Sequence, residues 1–155
     1  MNTYFIVKII HVLSSTILFG TGICIAFFMW RSSFTQDLQQ KYFAARTTVL
    51  ADTLFTFPAV VIQPATGFWM IWKAGYNLTD FWLLLTYALY IIAGCCWLPV
   101  VWIQFQLKKQ IELSLQQNTP LPARYHRLFR WWFALGWPAF MALIVVFYLM
   151  VTKPL

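Results

Sequence analysis

Charge is what this sequence lacks most. Only 10% of its 155 residues are Asp, Glu, Lys or Arg, against about 25% in an ordinary soluble domain. The remainder is apolar: 61% of residues are hydrophobic and the mean hydropathy is +0.69. That balance, gathered in long blocks, excludes a soluble fold and implies a polytopic membrane protein. Acids number four and histidines two. No H-x-x-x-H and no paired carboxylates occur, so a lipid-modifying hydrolase has no constellation to stand on. The three cysteines, Cys24, Cys95 and Cys96, lie in apolar segments without C-x-x-C spacing. They read as small apolar fillers and not as a zinc site. No basic region precedes the first apolar run, which is longer than a signal-peptide core, so a retained helix is expected. Thr21-Gly22-Ile23-Cys24 resembles a lipoprotein cleavage site, but Ile23 is too bulky for it.

The net charge is +7. Its basic residues cluster in short segments between apolar runs, as topology determinants and anionic-lipid contacts do, and this argues against nucleic acid. The expected architecture is all-α: one membrane domain over residues 1–155, a four-helix transmembrane bundle with proline-kinked helices. The helices are expected at about 3–30, 38–73, 80–115 and 123–152. At ~1.5 Å per residue the first exceeds a ~30 Å hydrocarbon core and must tilt or protrude. Pro58 and Pro64 each free a carbonyl four residues back, at Leu54 and Val60. Thr79 or Asp80 can cap the third helix. The first and third connections hold most of the Arg and Lys. The expected location is therefore a bacterial inner membrane, with both termini periplasmic.

The polar residues inside the spans are the candidate site. Lys8 and His11 are three residues apart and share a helical face, with Ser15 and Gly22 following at spacings of four and seven. Ionisable groups at such depth usually face a bundle interior. His11 lies ~11 Å and Gln63 ~13 Å from the outer end of their helices. Tyr90 and Met141 lie at similar depth. An outer-half pocket of His11, Lys8, Gln63, Tyr90 and Met141 is thus expected, with His11 as axial ligand of a b-type haem. In the bland alternative His11 is a helix-interface residue bonded to Gln63 or to a freed carbonyl. Asp52, Thr56 and Gln63 fall near one stripe of the second helix. Asp52 is the one acid clearly inside a span, and Arg46 or Arg130 is its expected partner, as a buried ion pair or a proton relay.

Longer stretches carry a family likeness. They include Phe19-Gly20-Thr21-Gly22, Val49-Leu50-Ala51-Asp52, Phe57-Pro58-Ala59-Val60-Val61-Ile62-Gln63-Pro64 and Cys96-Trp97-Leu98-Pro99-Val100-Val101-Trp102-Ile103-Gln104. Phe133-Ala134-Leu135-Gly136-Trp137-Pro138-Ala139-Phe140 completes them. The chain resembles, over nearly its whole length, the bacterial predicted integral membrane proteins of domain of unknown function 2269. That resemblance implies four helices in the inner membrane and no stated activity. A more distant likeness, carried by His11 and the glycine-containing segment after it, is to the HemJ-type membrane protoporphyrinogen oxidases. It implies haem b at the first-helix histidine. The expected function is therefore a haem- or quinone-linked redox protein. Its rival is a membrane component without cofactor, such as a transporter subunit or assembly factor. Expected partners are the lipid bilayer, a quinone or porphyrin, and a second copy or a membrane partner protein.

Overall fold

Among the described residues there are four helices, each long and apolar enough to cross a bilayer. The structure, a computed structural model, describes residues 2–154. Helix α1 is Thr3–Ser32, α2 is Leu38–Ala74, α3 is Phe81–Gln117 and α4 is Ala123–Thr152. The ends fall within two residues of those expected from hydropathy. With four helices in alternating directions, the start of α1 and the end of α4 lie on one side of the bundle.

Local chemistry sets the ends. Asn2 accepts from Tyr4 N–H at 3.3 Å to start α1, and Asp37 accepts from Gln39 N–H at 2.8 Å to start α2. Asp80 occupies the corresponding position before α3, but its side chain makes no capping bond. Gly75 closes α2 at φ 70°, and Tyr76 N–H reaches back to the Ile71 carbonyl at 3.2 Å. Asn118 does the same for α3, with Thr119 N–H on the Ser114 carbonyl at 3.0 Å. Both are left-handed caps, which glycine and asparagine tolerate best.

Pro58, Pro64, Pro99 and Pro138 sit inside helices without ending them. What is visible near them is a π turn, Asp52–Thr56, directly ahead of Pro58. There the Phe57 N–H bonds to the Asp52 carbonyl, five residues back. The wider turn accommodates a proline that offers no N–H, and it moves the residues after it off the Asp52 stripe.

Exposed apolar side chains ring the bundle, including Phe5, Leu13, Leu54, Phe81, Leu98 and Val151. A helix bundle apolar on its outer face is solvated by lipid. Inside, packing concentrates in two places. Near loops one and three, Met29, Ala45, Ile103, Leu107, Ile111 and Tyr125 form one cluster. At the opposite end Ile71, Trp82, Leu83 and Leu149 form another. Helix α3 packs mainly on α4, and α1 packs along α2. The first half of α2 also packs on α3. The α1–α4 seam is the thinnest of these, and Phe19 stacked on Phe140 at 4.9 Å holds it.

Candidate functional site: a polar-centred cavity within the bundle

His11 lies in the α1–α2 seam. Its Nδ1 is 2.7 Å from Thr66 Oγ1. Thr66 donates its hydroxyl hydrogen to the Ile62 carbonyl at 2.7 Å, so it accepts from His11 Nδ1–H. Gln63 donates through Nε2 to the His11 carbonyl at 2.7 Å and to Ser14 Oγ. Ser14 donates to the same carbonyl at 3.1 Å. Gly67 leaves room for the imidazole; a Cβ there would lie 3.4 Å from His11 Cε1. Gln63, Thr66 and Gly67 share a face at spacings of three and four, which is why one stretch of α2 supplies both partners and the space. The knot clips α1 to α2. Thr66, and not Gln63, is bonded to the ring, while Gln63 bonds the His11 carbonyl.

The expected outer-half pocket does not assemble. Lys8 and Met141 are exposed, Met141 at 46%. Neither of the two principal cavities is lined by His11, Lys8, Gln63 or Met141. Tyr90 turns instead to α2 and donates to the Val60 carbonyl at 2.7 Å. That is the carbonyl freed by Pro64, so the phenol replaces the missing backbone donor. We expect Tyr90→Phe to cost about 0.5–1.5 kcal/mol. In a Pro64→Ala background it should cost less, because the helix then supplies its own N–H to Val60. A double-mutant cycle by unfolding in mixed micelles measures the coupling, and additive effects would show the bond to be unimportant.

The second expected assembly also changes. Asp52 is only 6% exposed, but Arg46 and Arg130 are both exposed. Arg46 precedes Asp52 by six residues, about 1.7 turns, which sets it on another face. A long basic side chain near a helix end extends to the polar interface. The proposed partners of Asp52 are therefore replaced by Thr56, Gln104 and Trp97, which stand around its carboxyl.

These residues face a cavity of about 440 Å³ lined by all four helices. Pockets that hold small molecules are typically about 300–1,000 Å³. Five buried polar atoms among its lining residues have no hydrogen-bond partner: Asp52 Oδ2, Thr56 Oγ1, Gln104 Oε1, Trp97 Nε1 and Trp132 Nε1. Buried polar groups are seldom left unpaired, and such a group carries a cost of about 1–3 kcal/mol. Four of the five belong to one group, with Thr56, Gln104 and Trp97 standing around the Asp52 carboxyl, and they form the polar centre of the cavity. A larger hollow of about 1290 Å³ runs along the lipid face of α1 and α2, and its lining holds none of these atoms. The number of unmet polar groups, not size, selects the central cavity.

The cavity's remaining wall is apolar and aromatic. On the α1–α4 side it is made of residues that also face outward, among them Ile23, Phe27, Trp30 and Trp137. The wall is thus open to the bilayer along the thinnest seam.

Sequence reasoning found Asp52 and Thr56 as polar residues in a span. It missed Trp97 and Trp132. Trp132 reads as an interfacial aromatic, yet is 5% exposed with its indole nitrogen unpartnered. It missed Ser14, which is buried and bonded to Gln63, in favour of Ser15, which bonds only the Val12 carbonyl of its own helix. Among the described residues, no group of three or more His, Cys, Asp or Glu side chains is placed to hold a metal ion.

Comparison with known proteins agrees on the architecture. Neither the curated proteins nor the solved structures gave a match. The likeness to HemJ-type oxidases finds no support there. The family described as Predicted integral membrane protein (DUF2269) matches residues 5–154, and with that coverage and four membrane-spanning helices the chain belongs to it as an integral membrane protein.

Proposed function

We propose that this chain is a membrane-embedded binding protein for a small amphipathic molecule taken sideways from the lipid phase, acting as a transport-type component without a bound cofactor. The observation that carries this is the set of five unpartnered polar atoms on one lipid-accessible cavity. A ligand of this kind enters between α1 and α4, buries its apolar body against the aromatic wall, and places its polar head at Asp52. Redox partnership with a quinone is compatible with the cavity's size and aromatic lining. It is therefore the natural neutral probe.

Photoreactive analogues test the reading. A neutral azidoquinone and a cationic azido-tetraphenylphosphonium are each added to the protein in nanodiscs, and the labelled peptides are mapped. Labelling by either should concentrate on Trp97 to Gln104 and Trp132 to Leu143. Labels from both spread evenly over the outer apolar faces would sink it.

A haem at His11 fits the structure less well. The Thr66 bond holds the ring by Nδ1 and leaves the Nε2 lone pair for a ligand, as in many histidine sites. Yet the ring packs over Gly67 in the α1–α2 seam and lines neither principal cavity. We expect the reduced-minus-oxidised visible spectrum of the protein, purified after haem supplementation, to show no Soret or α bands. Bands present in wild type and lost in His11→Ala would move the function to the seam.

A further inference from the structure

We infer that the central cavity selects a lipophilic organic cation, held by the Asp52 carboxylate inside an aromatic cage and exchanged against the Asp52 proton. The inference rests on the binding role proposed above and names its ligand class.

Charge is the first argument. Asp52 is 94% buried in the bundle interior, since only 6% of its surface is exposed. Its Oδ2 has no partner. No Lys, Arg or His lines the cavity from any of the four helices, and Asp52 is its one acid. From α3, Tyr90 is the only other titratable side chain, and its hydroxyl is committed to the Val60 carbonyl. From α1 and α4 there is none. The other buried charge in the bundle, Lys41, is held elsewhere by the Ser32 and Ser33 carbonyls at 3.2 and 3.5 Å. A lone carboxylate in such surroundings is stable only when neutralised, either by a proton or by a cationic ligand.

The wall supplies the second argument. Phe19, Phe27, Trp30, Trp97, Phe133 and Trp137 are among the aromatic side chains around the cavity. Aromatic faces attract cations, and cages of them recognise organic ammonium groups. Thr56 and Gln104 add two unpartnered oxygens beside the carboxylate. Trp97 Nε1 stands beside the carboxylate without closing a hydrogen bond to it. The lateral opening admits a molecule that is both charged and lipid-soluble.

The exchange balances without a co-reactant. The protonated Asp52 carboxyl releases one H⁺ as the cation arrives, and the cation–carboxylate pair that forms is neutral overall. Protons and ligand therefore compete, and binding weakens as pH falls.

The probe is tetraphenylphosphonium, titrated into the wild-type protein in nanodiscs of zwitterionic lipid. We expect saturable binding and about one proton released per cation bound. Affinity should fall at least tenfold in Asp52→Asn and lose its pH dependence there. The neutral isostere tetraphenylmethane should bind at least tenfold more weakly to wild type. Equal binding of cation and isostere overturns the inference but leaves the binding role standing. So does cation binding without proton release. If neither probe binds, the inference fails, and the azidoquinone labelling decides the binding role separately. Should Asp52→Asn not fold, the isostere comparison and the proton count on wild type still decide.

Discussion

Gly67→Leu is expected to unlatch α1 from α2 and cost about 2–4 kcal/mol, summing overpacking with one or two lost hydrogen bonds. A Cβ at residue 67 already stands 3.4 Å from His11 Cε1. The rest of a leucine side chain needs the volume that the imidazole occupies. The ring must leave, breaking the 2.7 Å contact to Thr66 and straining the Gln63 bond to the His11 carbonyl. Gly67→Ala brings only the Cβ and should stay within about 1 kcal/mol, since it also gains helix propensity. The companion test is His11→Ala in the Gly67→Leu background, which makes room and should recover part of the loss. Reversible unfolding in mixed micelles measures all three. A Gly67→Leu protein as stable as wild type, or one not rescued by His11→Ala, would show that the seam is not packed as described.

Gly136→Leu should abolish ligand binding while leaving the bundle folded. Gly136 lines the central cavity, and a Cβ built on it meets nothing within 4 Å. A leucine there can fill empty space without displacing backbone. Filling a cavity of about 440 Å³ with a branched side chain removes room for the ligand body. Filling an apolar void also improves packing, so stability should hold or rise. The measured outcome is affinity for whichever photoprobe labels the wild type, and a loss of at least tenfold, about 1.4 kcal/mol, is expected. Gly94→Leu, on α3 and equally open, is the second variant. If both variants bind as wild type does, the cavity is not the site.

The difference between the two sets of residues explains how much of this protein its chain announces. Hydropathy alone dictates four spans, because every backbone group in hydrocarbon must be paired within its own helix. Helix ends followed to within two residues from the same cause. The polar residues inside spans were also legible, since each is costly there: His11, Asp52 and Gln63 were all singled out. The consequence of Pro64 was legible too, as a freed carbonyl at Val60, although its partner was not.

Which polar groups meet was beyond reach of the pattern. Helical spacing says what shares a face, but not how each face is turned toward its neighbours. His11 and Gln63 do meet, yet Tyr90 and Met141 stand apart from them because α3 and α4 present other sides. The π turn at Asp52–Thr56 adds a shift that an even spacing of 3.6 residues cannot show. It sends Asp52 and Thr56 to the cavity and Gln63 to the α1 seam. An ion pair for Asp52 follows from charge scarcity, but the helix phase and the reach of exposed arginines toward water undo it. A hollow has no letter in the sequence at all. It exists because all four helices pack at one end and α2, α3 and α4 pack at the other, leaving Asp52, among indoles without partners, in the space between.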